Sequence, residues 1–82
     1  MKILIEVITP GNGKTYELML DDRLAVGEAK EKIIDQIISY EEGNISFDES
    51  VALFSPALQA RLPENRNLRN AGLRSGQPLL LL

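Results

Sequence analysis

The amino-acid sequence predicts an α+β fold in which a mixed sheet packs on one helix. Three observations support this prediction. Two runs of alternating apolar and polar residues flank a glycine-rich turn near the start, one later segment has apolar residues at helical spacing, and short strand-like runs fill the second half. With 82 residues the chain is expected to form one domain, residues 1–82, with a small core.

The first predicted element is a β-hairpin. In KILIEVI the apolar positions alternate from Ile3 to Val7, and in TYELML they alternate from Tyr16 to Leu20. Between these runs lies the turn 10–13, PGNG, whose glycines and asparagine tolerate the positive φ of tight turns.

The same turn contains GNGKT, which is similar to the end of a nucleotide-binding P-loop. A P-loop also needs a first glycine five residues before the second, and that position is Ile8. It further needs a helix after Lys14, where the sequence instead has a strand pattern. A nucleotide site is therefore not expected.

One amphipathic helix is predicted from about Leu24 to Glu42. Asp21 and Asp22 are candidate caps at its start, and Gly43 is a suitable stop at its end. The apolar stripe recurs at steps of three and four residues, and it comprises Val26, Ala29, Ile33, Ile37 and Tyr40.

The second half predicts short strands. SVALF is a strand candidate, and a last strand follows from about Pro78 to Leu82. Two interpretations compete for residues 56–64: a short helix beginning at SPALQARL, or a turn and an edge strand at Gln59 to Leu62. A last strand inserted beside the first would give a β-grasp sheet of four or five strands. Its predicted core comprises Ile3, Ile5, Val7, Tyr16, Leu18, Leu20, Val26, Ile33, Ile37, Leu68, Leu79 and Leu81.

Composition removes several function classes. Cysteine and histidine are absent, so disulfides, cysteine nucleophiles, the usual general base, and thiolate and imidazole metal ligands are missing. A net charge of −3 and few aromatic residues argue against nucleic-acid binding. No stretch is long enough for membrane insertion. The acid pairs Asp21-Asp22, Glu41-Glu42 and Asp48-Glu49 are interpreted as capping and turn residues, so no catalytic residue, metal site or cofactor is expected.

Several segments together resemble ubiquitin: KILIEVITPGNGKTYELML, the helical EAKEKI, the strand VALFS and the closing LRNAGLRSGQPLLLL. The closing segment more specifically resembles the YukD/EsaB-type ubiquitin-like proteins of type VII secretion systems. That resemblance implies a cytoplasmic, non-enzymatic accessory or regulator whose partner is a protein of the secretion machinery.

A covalent modifier or sulfur carrier is the alternative that the resemblance to ubiquitin raises. Both chemistries activate a flexible C-terminal diglycine, whereas this sequence has Leu79 to Leu82 at its end. This alternative is therefore disfavoured.

The candidate interaction surface follows from strand alternation. If Leu79 and Leu81 face the helix, then Leu80 and Leu82 face the other side, and so does Leu4 on the first strand. These leucines are expected to converge on one exposed patch. The alternative is that this face packs in a dimer or that the last strand shifts its register.

Charge adds a second component to this surface. From Leu58 onward the chain carries a net +3, and the preceding part carries −6. Arg66, Arg69 and Arg74 are predicted to form part of a charged rim, with Phe54 beside the leucines. Solvated turns are the alternative interpretation of these arginines.

Overall fold

The computed structural model describes residues 1–82 as a five-stranded mixed sheet packed on one helix. Along the chain the elements are β1 (Lys2–Thr9), β2 (Lys14–Asp21), α1 (Val26–Tyr40), β3 (Leu53–Ser55), β4 (Ala60–Arg61) and β5 (Pro78–Leu81). The strand order in the sheet is β2-β1-β5-β3-β4. The β1–β5 pair is parallel, and the other three pairs are antiparallel. The predicted β-grasp arrangement is confirmed.

The initial hairpin is held by its turn residues. The carbonyl of Thr9 accepts hydrogen bonds from the amides of Asn12 (3.2 Å) and Gly13 (3.0 Å). Gly13 has a φ of +68°, which a residue with a side chain rarely adopts. Because the turn closes between Thr9 and Lys14, Ile5 pairs with Leu18, and the alternating apolar residues of both strands face the helix.

The helix is shorter than predicted and begins differently. Its first helical residue is Val26, and Ala25 precedes it without any side-chain capping bond. The predicted caps serve other groups: Asp21 accepts from the Arg23 amide (2.9 Å), and Asp22 accepts from the N-terminal ammonium (3.1 Å). The prediction that these aspartates cap the helix is therefore wrong, because the chain needs residues 23–25 to cross from the sheet.

The helix ends at Tyr40, two residues before the predicted Glu42, and Gly43 is the stop as predicted. The amide of Gly43 donates to the carbonyl of Ile38 over 2.9 Å, and Gly43 has a φ of +80°. This six-residue closure satisfies carbonyl groups that the last helical turn would otherwise leave free.

Residues 56–64 contain the edge strand, and the helical interpretation is wrong. Ser55 accepts a hydrogen bond from the Leu58 amide (3.2 Å), and the Gln59 amide donates to the Pro56 carbonyl (3.2 Å). This turn reverses the chain into β4. The Leu62 amide then donates to the Leu53 carbonyl (2.9 Å), which continues the pairing beyond the strand.

The core lies between the sheet and α1. Every predicted core residue is buried except Leu18 of β2, which is half-buried. Further side chains from the second half complete this core, namely Val51, Leu53, Leu62 and Leu73.

No helix has the length and apolar character needed to cross a membrane.

Candidate protein-interaction surface

The sheet has one face covered by α1 and a second face that no element of the chain covers, here called the open face. On this face Ile8 of β1 lies opposite Leu80 of β5, and Leu80 lies opposite Phe54 of β3. Residues that pair across strands have Cβ atoms about 5 Å apart. These three side chains, here called the central row, are each half-buried. They form a continuous apolar band across the three central strands.

The apolar band continues toward the hairpin turn. Leu82, which is 57% exposed, exchanges two backbone hydrogen bonds with Ala52 (2.7 and 3.0 Å). Those bonds place both side chains on the open face, next to Leu80 and Phe54. The predicted positions of Phe54, Leu80 and Leu82 on this face are thus found in the structure.

Leu4 faces the same side but does not join the other leucines. The parallel register pairs Ile8, not Leu4, with Leu80. Leu4 lies four residues earlier, about 13 Å along the strand. It is 37% exposed and pairs with Met19, which is 54% exposed. The expected convergence with Leu4 is therefore wrong, because strand alternation determines the face of a side chain but not its height.

The predicted arginines lie away from the central row. Arg66 is next to the start of α1, where its carbonyl accepts from the Val26 amide over 2.7 Å. Arg69 and Arg74 line a shallow cavity of about 510 Å³ beside Met1, at the end of the sheet near Leu4. The predicted rim is therefore not formed around the central row by these three arginines.

Arg61 holds the position that the prediction assigned to other arginines. It lies on β4 directly opposite Phe54, so it is at one end of the central row. Arg61 makes no ion pair, and the nearby Glu64 is already paired with Lys30. The sequence does not indicate this position for Arg61, because the strand that carries it has only two residues.

Two carboxylates also lie on the open face, toward the edge of the sheet away from Arg61. Glu6 of β1 and Glu17 of β2 are directly opposite each other, both are exposed, and neither makes an ion pair. Like charges at directly opposite positions destabilise a sheet. Their register neighbours are Leu4 with Met19 on one side and Ile8 with Thr15 on the other, so no cation is placed to compensate them.

Three other acidic side chains make local contacts. Asp48 accepts from the Ser50 amide (2.8 Å) and hydroxyl (2.7 Å), and these bonds lower the pKa of Asp48. Glu41 accepts from Lys14 (2.6 Å), and this hydrogen bond lowers the pKa of Glu41. Similarly, the hydrogen bond from Lys30 lowers the pKa of Glu64. These are turn and ion-pair contacts, so these three carboxylates need no ligand or partner to account for them.

Solved structures of ubiquitin-like domains are similar to this fold. The EccD5 ubiquitin-like domain from Mycobacterium xenopi has a TM-score of 0.81 at 12% identity, covering 100% of this chain and 93% of that chain. The corresponding domain of the Mycobacterium tuberculosis type VII secretion protein ECCD1 has a TM-score of 0.75 at 16% identity, covering 100% and 98%.

A chain of the MycP5-free ESX-5 inner membrane complex has a TM-score of 0.79 at 18% identity, covering 99% of this chain and 20% of that chain. No protein-family model matches the sequence, and a search of curated proteins finds no match. At these identities the similarity shows a ubiquitin-like β-grasp fold.

Proposed function

We propose that this protein is a non-catalytic ubiquitin-like interaction module that binds a protein through its open face. The observation that carries this proposal is the central row, in which Ile8, Leu80 and Phe54 form an apolar band on a face without any covering element. Contiguous apolar surface of this kind is characteristic of protein interaction sites.

The proposed setting is a type VII-like secretion system, where the protein would act as a cytoplasmic accessory or regulator. Its support is the fold similarity to the EccD ubiquitin-like domains and to part of an ESX-5 inner membrane complex. The partner is then a protein component of such a machine. One domain, residues 1–82, would carry this role.

The test is a substitution on the central row. Leu80→Asp places a charge in the middle of the proposed interface, and we expect it to abolish recovery of secretion-machinery components by affinity purification from the native host. Leu4→Asp sits on the same face outside the central row, and we expect partial retention. Leu58→Asp, at an exposed turn position, is the control and should retain full recovery.

Circular dichroism of each purified variant checks that it is folded. Full recovery of the same components with a folded Leu80→Asp protein would contradict binding through the central row. Recovery of an adenylating enzyme alone, without secretion components, would contradict the proposed setting and favour a modifier or carrier role.

A further inference from the structure

We infer that the open face also binds a second copy of this chain, in a face-to-face dimer whose two-fold axis runs along β5. This dimer uses the same face as the proposed function but does not depend on a secretion partner. It is supported by the distribution of charged residues around the central row.

The open face has two carboxylates near the centre of one side and a guanidinium on the other side. Lys2 of β1 is also on the acidic side, but it lies about 13 Å along the strand from Glu6. Glu6 and Glu17 lie on β1 and β2, at one side of the sheet, and Arg61 lies on β4, at the other. None of the three makes an ion pair within the chain. β5 is the middle strand, and neighbouring strands are about 4.8 Å apart. Glu17 and Arg61 are therefore equidistant from β5, each two strands away, and Glu6 lies one strand away.

This distribution selects one symmetric arrangement. A two-fold axis parallel to the strands exchanges the two sides of the sheet, so β4 with Arg61 lies over β2 of the other copy. This is the strand that carries Glu17, and Glu6 is on the neighbouring strand β1. An axis perpendicular to the strands would place carboxylates over carboxylates, which is repulsive. A dimer with two-fold symmetry uses the same patch on both copies, so the patch must be complementary to itself. The open face meets this condition.

The apolar centre fits the same arrangement. Rotation about β5 stacks Leu80 on Leu80 and brings Ile8 of one copy toward Phe54 of the other. Along the strand direction, Glu6 and Glu17 are offset from Arg61 by two residues, or about 7 Å. An extended arginine side chain is long enough to cover this offset. In this dimer the repulsion between Glu6 and Glu17 is relieved by a cation from the second copy.

The contact area predicts a weak dimer. A sheet face roughly 20 Å on each side provides about 400 Å² per copy, below the usual 800 Å² per partner of a stable complex. We therefore expect a reversible dimer with a dissociation constant of about 0.1 to 1 mM. Because dimerisation covers the central row, it would compete with a secretion partner for the same face.

Sedimentation equilibrium of the purified protein at about 10 µM to 1 mM tests the inference. We expect a monomer–dimer equilibrium, and Arg61→Glu should weaken it at least about tenfold. Arg66→Glu makes the same change of net charge at a site off the open face and should leave it unchanged. The double variant Glu17→Arg with Arg61→Glu restores opposite charges and the original net charge, so it should recover most of the dimer.

A protein that stays monomeric at 1 mM would overturn the inference, and so would a folded Arg61→Glu variant that dimerises like the parent. A double variant no stronger than Arg61→Glu alone would rule out the proposed charge pairing. These measurements use the purified protein alone, whereas the proposed function is tested by recovery of partners from the host. Failure of one is thus distinguishable from failure of the other.

Discussion

The two faces of the sheet are built from the same strands, yet they differ in how deeply their side chains are buried. Leu79 and Leu80 are neighbours on β5, and Leu79 is fully buried against the core while Leu80 is half-buried on the open face. The face under α1 is closed by Ile33 and Ile37, which are also fully buried. The open face has a comparable apolar band but no covering element. The difference shows that one face forms the core, whereas the other leaves its apolar side chains partly accessible to solvent.

The sharpest test of this comparison is a pair of alanine substitutions on β5. Leu79→Ala should lower the free energy of unfolding by about 2 to 5 kcal/mol, because it leaves a cavity in the core. Leu80→Ala should lower it by less than about 1 kcal/mol, since the side chain already contacts solvent. Urea denaturation of both variants measures the difference. Equal losses would mean that the open face is also covered in solution.

A second pair compares the centre of the core with its edge. Ile33 is fully buried at the middle of α1, whereas Leu18 is half-buried on the edge strand β2. Ile33→Ala should cost about 2 to 5 kcal/mol. Leu18→Ala should cost less than Ile33→Ala in the same denaturation series. A larger loss at Leu18 would place the centre of the core nearer to β2 than the structure does.

A third prediction concerns the segment that connects β4 to β5. Gly76 has a φ of +87°, and its amide donates to the Leu4 carbonyl over 2.8 Å. No atom lies near the position of an added Cβ, so Gly76→Ala tests backbone strain alone. We expect a loss of about 1 kcal/mol. Gly11→Ala, also in open space but without a positive φ, is the control and should have little effect.

The smallest expected effect is a dependence of stability on pH. Hydrogen bonds from Lys14 and Lys30 lower the pKa values of Glu41 and Glu64 below their ordinary value of 4.5. A carboxyl group with a lowered pKa stabilises the fold above its unfolded pKa, and this stabilisation is lost as pH falls through the folded pKa. The melting temperature should thus decrease from about pH 5 downward.

Lys14→Met removes one of these pairs, so its melting temperature should depend less on pH between 7 and 3. Lys32→Met removes an exposed lysine without an ion pair and provides the control. The same pH dependence in both variants would show that the ion pair of Lys14 with Glu41 does not contribute.

Local patterns in the sequence determined most of the fold. Alternation identified β1 and β2, helical spacing identified α1, and Gly43 identified where α1 ends. These features depend on neighbouring residues, so they can be detected without knowledge of distant contacts. The same alternation correctly assigned Leu4, Leu80 and Leu82 to the face away from the helix. The short strand β4 was left open, because its two residues are too few to show a period.

Only the tertiary structure decided which of these residues meet. The register between β1 and β5 places Ile8 beside Leu80 and leaves Leu4 about 13 Å away. Pairing of β3 with β4 brings Arg61 to Phe54, and the hairpin register sets Glu6 opposite Glu17. The physical reason is that alternation sets the direction of a side chain, whereas register depends on backbone hydrogen bonds between segments far apart in the sequence.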